Sequence, residues 1–225
     1  MRGGLVQVRT RHTPTFGVAR LLLAPGEAAQ ASPAAMVASS YGIGVERAKQ
    51  TAFRLLAKSW KDASVFTATG DGGWVDVAAS LPGDLFAIEL DGSLGWSFGR
   101  DSWLAASSTI ALDPSWPGFH DMFGGAVGFL AHAAGVGPLV LSCCGALDLV
   151  ALGPGELITV EAGHLVGYQD GLQCRLRAVN PAAPQSVRTG EGLVVDFAGP
   201  GQLITQSHSP RVLAATLAGL APNER

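Results

Sequence analysis

The sequence predicts an all-β protein in which repeated β-hairpins form a sandwich, with one short internal helix and a short C-terminal helix. Apolar and polar residues alternate in many short runs, as they do in strands that bury one face. The chain also carries 30 glycines and 13 prolines, many of which fall between these runs. Frequent glycine and proline between short apolar segments indicate tight turns rather than helices.

One stretch concentrates this pattern. Residues 138–168 comprise four apolar segments separated by a tight turn, a Pro-Gly corner and a Gly-His turn. None of the four segments is long enough for a helix, so each is predicted to be a strand. We expect a single β-rich domain over residues 1–225, or two similar halves at about 5–112 and 127–208, with a C-terminal helix at 209–221.

The predicted strands follow the chain between turn signals. Asp71-Gly72-Gly73 and Asp91-Gly92 are predicted hairpin turns, because glycine tolerates the positive φ that such turns need. Residues 41–44 and 135–138 are predicted turns, and residues 113–123 are predicted to form a loop. The predicted strands cover residues 5–10, 16–23, 35–39, 64–69, 74–80, 85–90, 94–98, 103–107, 109–112, 127–131, 139–141, 147–152, 157–161, 165–168, 173–179, 193–197 and 203–206.

Two segments have helical periodicity. Residues 45–60 place apolar side chains near one helical face, and the charged ones lie largely elsewhere. Near the C-terminus, Ser209 is a typical N-cap and Pro210 suits the first helical position. The apolar residues that follow, Val212, Leu213, Leu217 and Leu220, predict a short helix there.

A Pro-Gly pair recurs four times, at Pro25-Gly26, Pro82-Gly83, Pro154-Gly155 and Pro200-Gly201. Proline fixes φ near the value needed at the second position of a type II turn, and glycine supplies the positive φ of the third. In the last three copies an apolar strand follows. The recurrence indicates repeated hairpin units from an old duplication; the alternative is that Pro-Gly is simply a common turn pair.

Composition limits the partners. Hydrophobic residues make up 48% and charged residues 15%, so part of the apolar surplus is expected to lie against a partner subunit. The net charge of −3 and the lack of a basic block disfavour nucleic-acid binding. Residues 1–10 lack the apolar core of a signal peptide, and the uncharged stretch 122–146 is broken by glycines and a proline. Three cysteines form no disulfide framework, so we expect a cytoplasmic protein without transmembrane segments.

No catalytic, metal or cofactor site is predicted. The nearest approach to a metal cluster is His120-Asp121 with His132, but the His-x-His spacing of a β-helix metal site is absent. His164 lies in a Gly-His turn, where it would orient a hairpin. Cys143 and Cys144 are adjacent and would point to opposite faces of a strand, which favours structural thiols over a redox pair.

Six segments occur in an order that resembles a known family: Pro82-Gly83-Asp84-Leu85, Trp103-Leu104-Ala105, residues 153–156, Gly163-His164-Leu165-Val166, Gly190-Glu191-Gly192-Leu193 and residues 199–207. Together they are similar to the altered-inheritance-of-mitochondria 24 family, over residues 16–209. The resemblance implies a sandwich like that of the tryptophan RNA-binding attenuation protein (TRAP-like) or of a double-stranded β-helix. It also implies self-association and a bacterial member of unknown function. It supplies no catalytic residues.

The function expected first is a non-enzymatic, self-associating β-scaffold that engages another protein or a membrane-associated assembly. The alternative is a small-molecule or nucleotide-binding β-barrel module, and a third hypothesis is an enzyme that uses His120, His132 and His164. Self-association is expected as a trimer or small ring. Residues 139–141 and 147–152 carry only Asp148 as a charge, so their strands are expected to be covered, and the loop 115–123 with Trp116 is a candidate contact.

Overall fold

The computed structural model describes residues 6–47, 63–113, 130–179 and 192–220. In these ranges the chain is almost entirely β, and every pair of strands is antiparallel. The elements are β1 (Gln7–Arg11), β2 (Val18–Leu23), β3 (Ala28–Ala31), β4 (Met36–Ser39), β5 (Ile43–Arg47), β6 (Ser64–Ala68), β7 (Gly73–Ala78), β8 (Leu85–Asp91), β9 (Trp96–Gly99), β10 (Trp103–Ser107), β11 (Ile110–Asp113), β12 (Leu130–Ser142), β13 (Leu147–Leu152), β14 (Leu157–Glu161), β15 (Leu165–Gln169), β16 (Gln173–Ala178), β17 (Leu193–Ala198), β18 (Gly201–Gln206) and the helix α1 (Pro210–Leu220).

Strand β12 connects the two halves of an 11-stranded sheet. Strands β8 and β9 pair in succession along one edge of β12, and β10 and β11 pair along the other. The sheet runs in the order β13-β18-β15-β9-β12-β10-β3-β6-β5. Its first half contains β10, β3, β6 and β5, and its second half contains β9, β15, β18 and β13.

Strand β12 must bend sharply. Gly99 pairs with Leu130 at the start of β12, yet Trp103 pairs with Leu141 near its end. The short step from Gly99 to Trp103 spans at most about 14 Å. A straight strand from Leu130 to Leu141 would be about 36 Å long. The bend lies at Gly135 and Gly137, whose φ angles of 134° and 130° strongly favour glycine.

Three cores follow from this bend. A four-stranded sheet, in the order β1-β2-β7-β4, packs on the first half of the large sheet through Leu21, Val75 and their neighbours. A three-stranded sheet, in the order β14-β17-β16, packs on the second half. The middle core combines residues of both halves, including Leu139 from β12 and Ile204 from β18. The two halves of the bent sheet therefore face each other across it.

The Pro-Gly corners move the chain between sheets. Each of the four connects a strand of a smaller sheet to a strand of the large one: β2 to β3, β7 to β8, β13 to β14 and β17 to β18. The expected positive φ is present at Gly26 and Gly155, at 75° and 80°. Gly83 is needed for a different reason, because a Cβ there would lie 1.9 Å from the carbonyl oxygen of Cys143. The corners are therefore crossings between sheets rather than turns within the repeated hairpin units that the sequence indicated.

Several local predictions also need correction. Asp91-Gly92 is not a hairpin turn, because Asp91 and Trp96 pair with β12 in the same direction on either side of it. Asp71-Gly72 links β6 to β7, which lie in different sheets. Residues 135–138 lie inside β12, and residues 139–141 are central, with β8 on one edge and β10 on the other.

The internal helix was predicted to start at Val45, but Ile43–Arg47 is a strand paired with β6. The rest of that helical pattern, from residue 48 to 60, lies outside the described residues, as does most of the loop 113–123. Strand β3 was missed, because its sequence, AAQA, carries little of the bulk that marks strands. The C-terminal helix is confirmed. In the described ranges no helix is both long enough and apolar enough to span a bilayer.

A buried carboxylate holds the outer face of the four-stranded sheet. Asp76 is 2% exposed and accepts hydrogen bonds from Arg20 Nε at 2.8 Å and from Arg11 Nη2 at 2.6 Å. The Arg20 guanidinium also stacks over the Trp74 ring, with 3.8 Å from Cζ to the ring centroid. The hydrogen bonds from Arg20 and then Arg11 lower the pKa of Asp76 to about 2, although burial opposes them.

We expect Gly135→Ala to reduce the free energy of unfolding by about 3 kcal/mol, because the new Cβ is strained at a φ of 134° and meets the Thr109 carbonyl oxygen at 2.6 Å. The matched control is Gly155→Ala, whose Cβ meets no atom within 4 Å. Its cost of about 1 kcal/mol reflects only the positive φ. Urea denaturation measures both; equal losses would contradict a tightly packed bend.

Asp76→Asn should destabilise the protein by about 2 kcal/mol at pH 7, less than a fully buried pair because both arginines are partly exposed. Since the folded-state pKa of Asp76 is depressed, its stabilisation is complete above about pH 4 and is lost as pH falls towards about 2. The more exposed Asp196, held by Arg177, is the control, and Asp196→Asn should cost less. Thermal unfolding between pH 7 and pH 2 measures both; an equal effect would contradict the argument from burial.

Candidate functional site

A cavity of about 610 Å³ lies where the ends of several strands meet the first turn of α1. The turn Arg100–Ser102 connects β9 to β10 on one side of it, and the end of β12 supplies Ser142, Cys143 and Cys144. Pro210 and Arg211 contribute from α1. The cavity therefore lies beside the C-terminal end of β12, several residues after the bend at Gly135 and Gly137.

The polar groups of the cavity differ in their environment. Arg100 is half-buried, and this burial lowers its pKa, while the nearby charges of Asp101 and Asp113 raise it. Arg211 is exposed at its mouth. Ser142 is buried, and its hydroxyl donates to the carbonyl oxygen of Ser102 at 3.4 Å. The cavity thus combines two cationic side chains with one carboxylate, Asp101, and several hydroxyl groups.

The adjacent cysteines are buried and protonated. Burial raises the pKa of Cys143 to about 11, and it also raises the pKa of Cys144. The Cys143 thiol donates to the carbonyl oxygens of Asp84 at 3.4 Å and Gly145 at 3.3 Å. A nucleophilic cysteine needs a lowered pKa, whereas the pKa values of both of these thiols are raised.

The histidines do not converge. His132 Nε2 lies 2.9 Å from Asp170 Oδ2, which also accepts from the amide of Gly95 at 3.1 Å. His164 Nδ1 donates to the carbonyl oxygen of Gln206 at 2.8 Å. His132 is two strands away from Tyr168, which lies four residues beyond His164. At about 4.8 Å per strand and 3.3 Å per residue, the two histidines are more than about 10 Å apart.

His120 lies outside the described residues, so its place in the third hypothesis has no structural description. Within the described ranges, no group of three or more histidine, cysteine, aspartate or glutamate side chains is arranged to hold a metal ion. Ser207 Oγ and His208 Nδ1 lie 2.8 Å apart on the exposed surface. Among the described side chains, none is a carboxylate bonded to the other nitrogen of His208, as a catalytic triad would require.

A second feature is an open edge at the end of the chain's second half. Strand β13 pairs only with β18 among the described strands, and β14 pairs only with β17. These two strands are consecutive, joined by the Pro154-Gly155 corner, so two sheet edges are adjacent. Leu149 on β13 is 44% exposed and Leu157 on β14 is 78% exposed. We call this surface the β13/β14 edge.

Sequence reasoning found the low charge of β13 but missed the cavity. Arg100, Ser102 and Arg211 lie on segments far apart in the chain, and none belongs to a motif. The only part of the cavity with a local sequence signal was the wall formed by the start of α1, which Ser209-Pro210 predicted.

The thiols give a direct test of this reading. Iodoacetamide at pH 8 should alkylate Cys143 in the folded protein about a hundredfold more slowly than in the urea-unfolded chain, because burial raises the pKa of its thiol to about 11 and limits access of the reagent. Peptide mass spectrometry of timed samples measures this. Rapid labelling of Cys143 in the folded protein would contradict a structural role.

Comparison with known proteins agrees with this fold. A crystal structure of a Streptococcus pyogenes protein is similar, with a TM-score of 0.77 at 20% sequence identity over 96% of this chain and 100% of that one. An uncharacterised protein of Streptococcus pyogenes serotype M6 is 28% identical over 158 residues. The match covers 69% of this chain and 62% of the length of that relative.

The sequence profile of the family described as mitochondrial biogenesis AIM24 matches residues 8–208. This range extends from the first strand to the residue before the helix N-cap, and so includes all three sheets. It confirms the resemblance inferred from the ordered motifs. The chain belongs to the AIM24 family.

Proposed function

We propose that this protein is a non-enzymatic scaffold that associates with copies of itself through the β13/β14 edge and presents the assembly to another protein or a membrane-associated complex. The observation that carries the proposal is the pair of adjacent, apolar sheet edges, with which no further described strand pairs. The proposal assigns no catalytic group, in keeping with the protonated thiols and the separated histidines.

Strand β13 has the properties of a template for further pairing. Its register with β18 is unshifted from Leu147 opposite Gln206 to Leu152 opposite Gly201. A regular edge strand presents a row of N–H and C=O groups that can pair with another chain. Proteins usually protect such an edge with lysine, proline or a bulge, and β13 has none of these.

The side chains of the edge favour a second copy as the occupant. Asp148 is the one charged residue of β13, so the strand offers a highly charged partner little electrostatic attraction. Leu149 and Leu157 are exposed and would lose contact with water in an interface. The low charge of the whole chain, 15%, supports the same conclusion.

We propose a trimer or small ring. The other end of the large sheet is β5, which pairs only with β6 among the described strands and exposes Val45. Pairing of β13 in one copy with β5 in the next would join two different surfaces. Such heterologous contacts generate rings when the rotation closes. The candidate contact at Trp116 lies outside the described residues.

The double substitution Leu149→Lys with Leu157→Lys should shift the protein towards the mass of a single chain, 23.1 kDa. Two lysines on the edge place charges that would have to be buried in the contact, and lysine on an edge strand disfavours pairing with another strand. Size exclusion with light scattering, at tens of micromolar protein, measures the mass.

Phe16→Lys is the control, because Phe16 is 66% exposed but lies between β1 and β2. It should leave the oligomer intact. A wild-type protein that is monomeric, or a double variant with the wild-type mass, would reject the proposed interface.

A second candidate function is a small-molecule-binding module, and the cavity favours it. Its volume of about 610 Å³ falls within the range of about 300–1,000 Å³ typical of ligand sites. Native mass spectrometry of freshly purified protein distinguishes this function from a purely structural scaffold. A co-purifying small mass would support binding, and the mass of the oligomer with nothing added would support the scaffold alone.

A further inference from the structure

We propose that the cavity binds a small molecule through a phosphate group, held by Arg211, Arg100, the Ser102 hydroxyl and the first turn of α1. The inference deepens the second candidate function by giving its ligand chemistry. It does not depend on self-association, since neither Leu149 nor Leu157 lines the cavity.

The first turn of α1 has open backbone donors at the cavity wall. The helix has 11 residues, and the carbonyl oxygen of Ser209 accepts from the amide of Leu213 at 3.0 Å. Pro210 has no N–H group, and no described residue accepts a hydrogen bond from the amides of Arg211 or Val212. The first turn also contains no acidic residue. Open amides and the positive end of the helix dipole favour an anion at this position.

Two arginines reach the cavity from separate elements. Arg211 lies on the helix and Arg100 on the turn between β9 and β10. Guanidinium groups bind phosphate oxygens through paired N–H donors. Asp101 is the one carboxylate among the lining residues, so the lining carries a net positive charge. A bound phosphate would offset the positive charge of the two arginines that Asp101 alone does not compensate.

Ser102 is an independent pointer to a polar ligand. It is 7% exposed and lines the cavity, yet its hydroxyl makes no hydrogen bond to any described residue. Since Ser102 lines the cavity, a ligand oxygen at this position could accept a hydrogen bond from its hydroxyl. This donor lies apart from the helix, which gives the site polar groups on more than one wall.

These donors suit phosphate better than carboxylate. Two guanidinium groups, helix amides and a hydroxyl offer more hydrogen bonds than the two coplanar oxygens of a carboxylate accept. A phosphate monoester presents three oxygens in a tetrahedral arrangement. Apolar side chains such as Leu81 and Leu104 also line the cavity and can contact the organic part of the ligand.

The test uses the full chain, with inorganic phosphate as the probe and sodium chloride and acetate at matched ionic strength as references. Phosphate at ten times its dissociation constant should raise the Tm by about 3 °C. Isothermal titration calorimetry should show that Arg211→Gln weakens phosphate binding by about tenfold or more, and Ser102→Ala by less. Arg9→Gln, an exposed arginine on β1, makes the same change in charge away from the cavity and should bind like the wild type.

A second arm separates a soluble phosphate from a lipid headgroup. Glycerol 3-phosphate should compete with inorganic phosphate, while vesicles of phosphatidylcholine with phosphatidic acid should not retain the protein on sedimentation. No Tm rise beyond the acetate reference, equal binding by Arg211→Gln, or binding to the vesicles alone would overturn the proposal. Far-UV circular dichroism confirms that each variant is folded. Light scattering reports the oligomer separately, so loss of phosphate binding with an intact oligomer counts against this inference alone.

Discussion

The bend in β12 is the constraint on which the rest of the structure depends. This one strand pairs with four others, and its two ends belong to different halves of the large sheet. Both halves can face the middle core only because Gly135 and Gly137 turn the backbone where a side chain would be strained. The neighbouring strands follow the bend: β8 ends at Asp91 and β10 ends at Ser107, both opposite the bent part of β12.

Both candidate surfaces result from this arrangement. Folding the sheet back on itself brings the turn Arg100–Ser102, the end of β12 and the start of α1 around one cavity. It also leaves the two terminal strands of the sheet, β13 and β5, with one edge each that no described strand covers. A closed barrel would have removed these edges, whereas a bent open sheet retains them. Self-association is the proposed means of covering them.

The sequence predicted the β class, most strand positions, the C-terminal helix and the family, because period-two alternation and turn residues are local signals. It did not predict which strands pair. Asp91-Gly92 has the residues of a hairpin turn, and only its long-range pairing with β12 shows that the chain continues forward. The small residues of β3 hid a strand, and Val45 fitted a helix as well as an edge strand. The cavity was unpredictable for the same reason: Arg100, Ser102 and Arg211 become neighbours only through the bend. The division into two halves stays a prediction.

Amide hydrogen exchange of β13 tests the scaffold proposal most directly. At tens of micromolar protein, the β13 amides that are not bonded to β18 should exchange slowly, because a neighbouring copy covers them. On dilution to nanomolar concentration they should exchange at rates close to those of an unprotected strand, while the central strand β12 stays protected at both concentrations. Fast exchange of these amides at both concentrations would contradict the account.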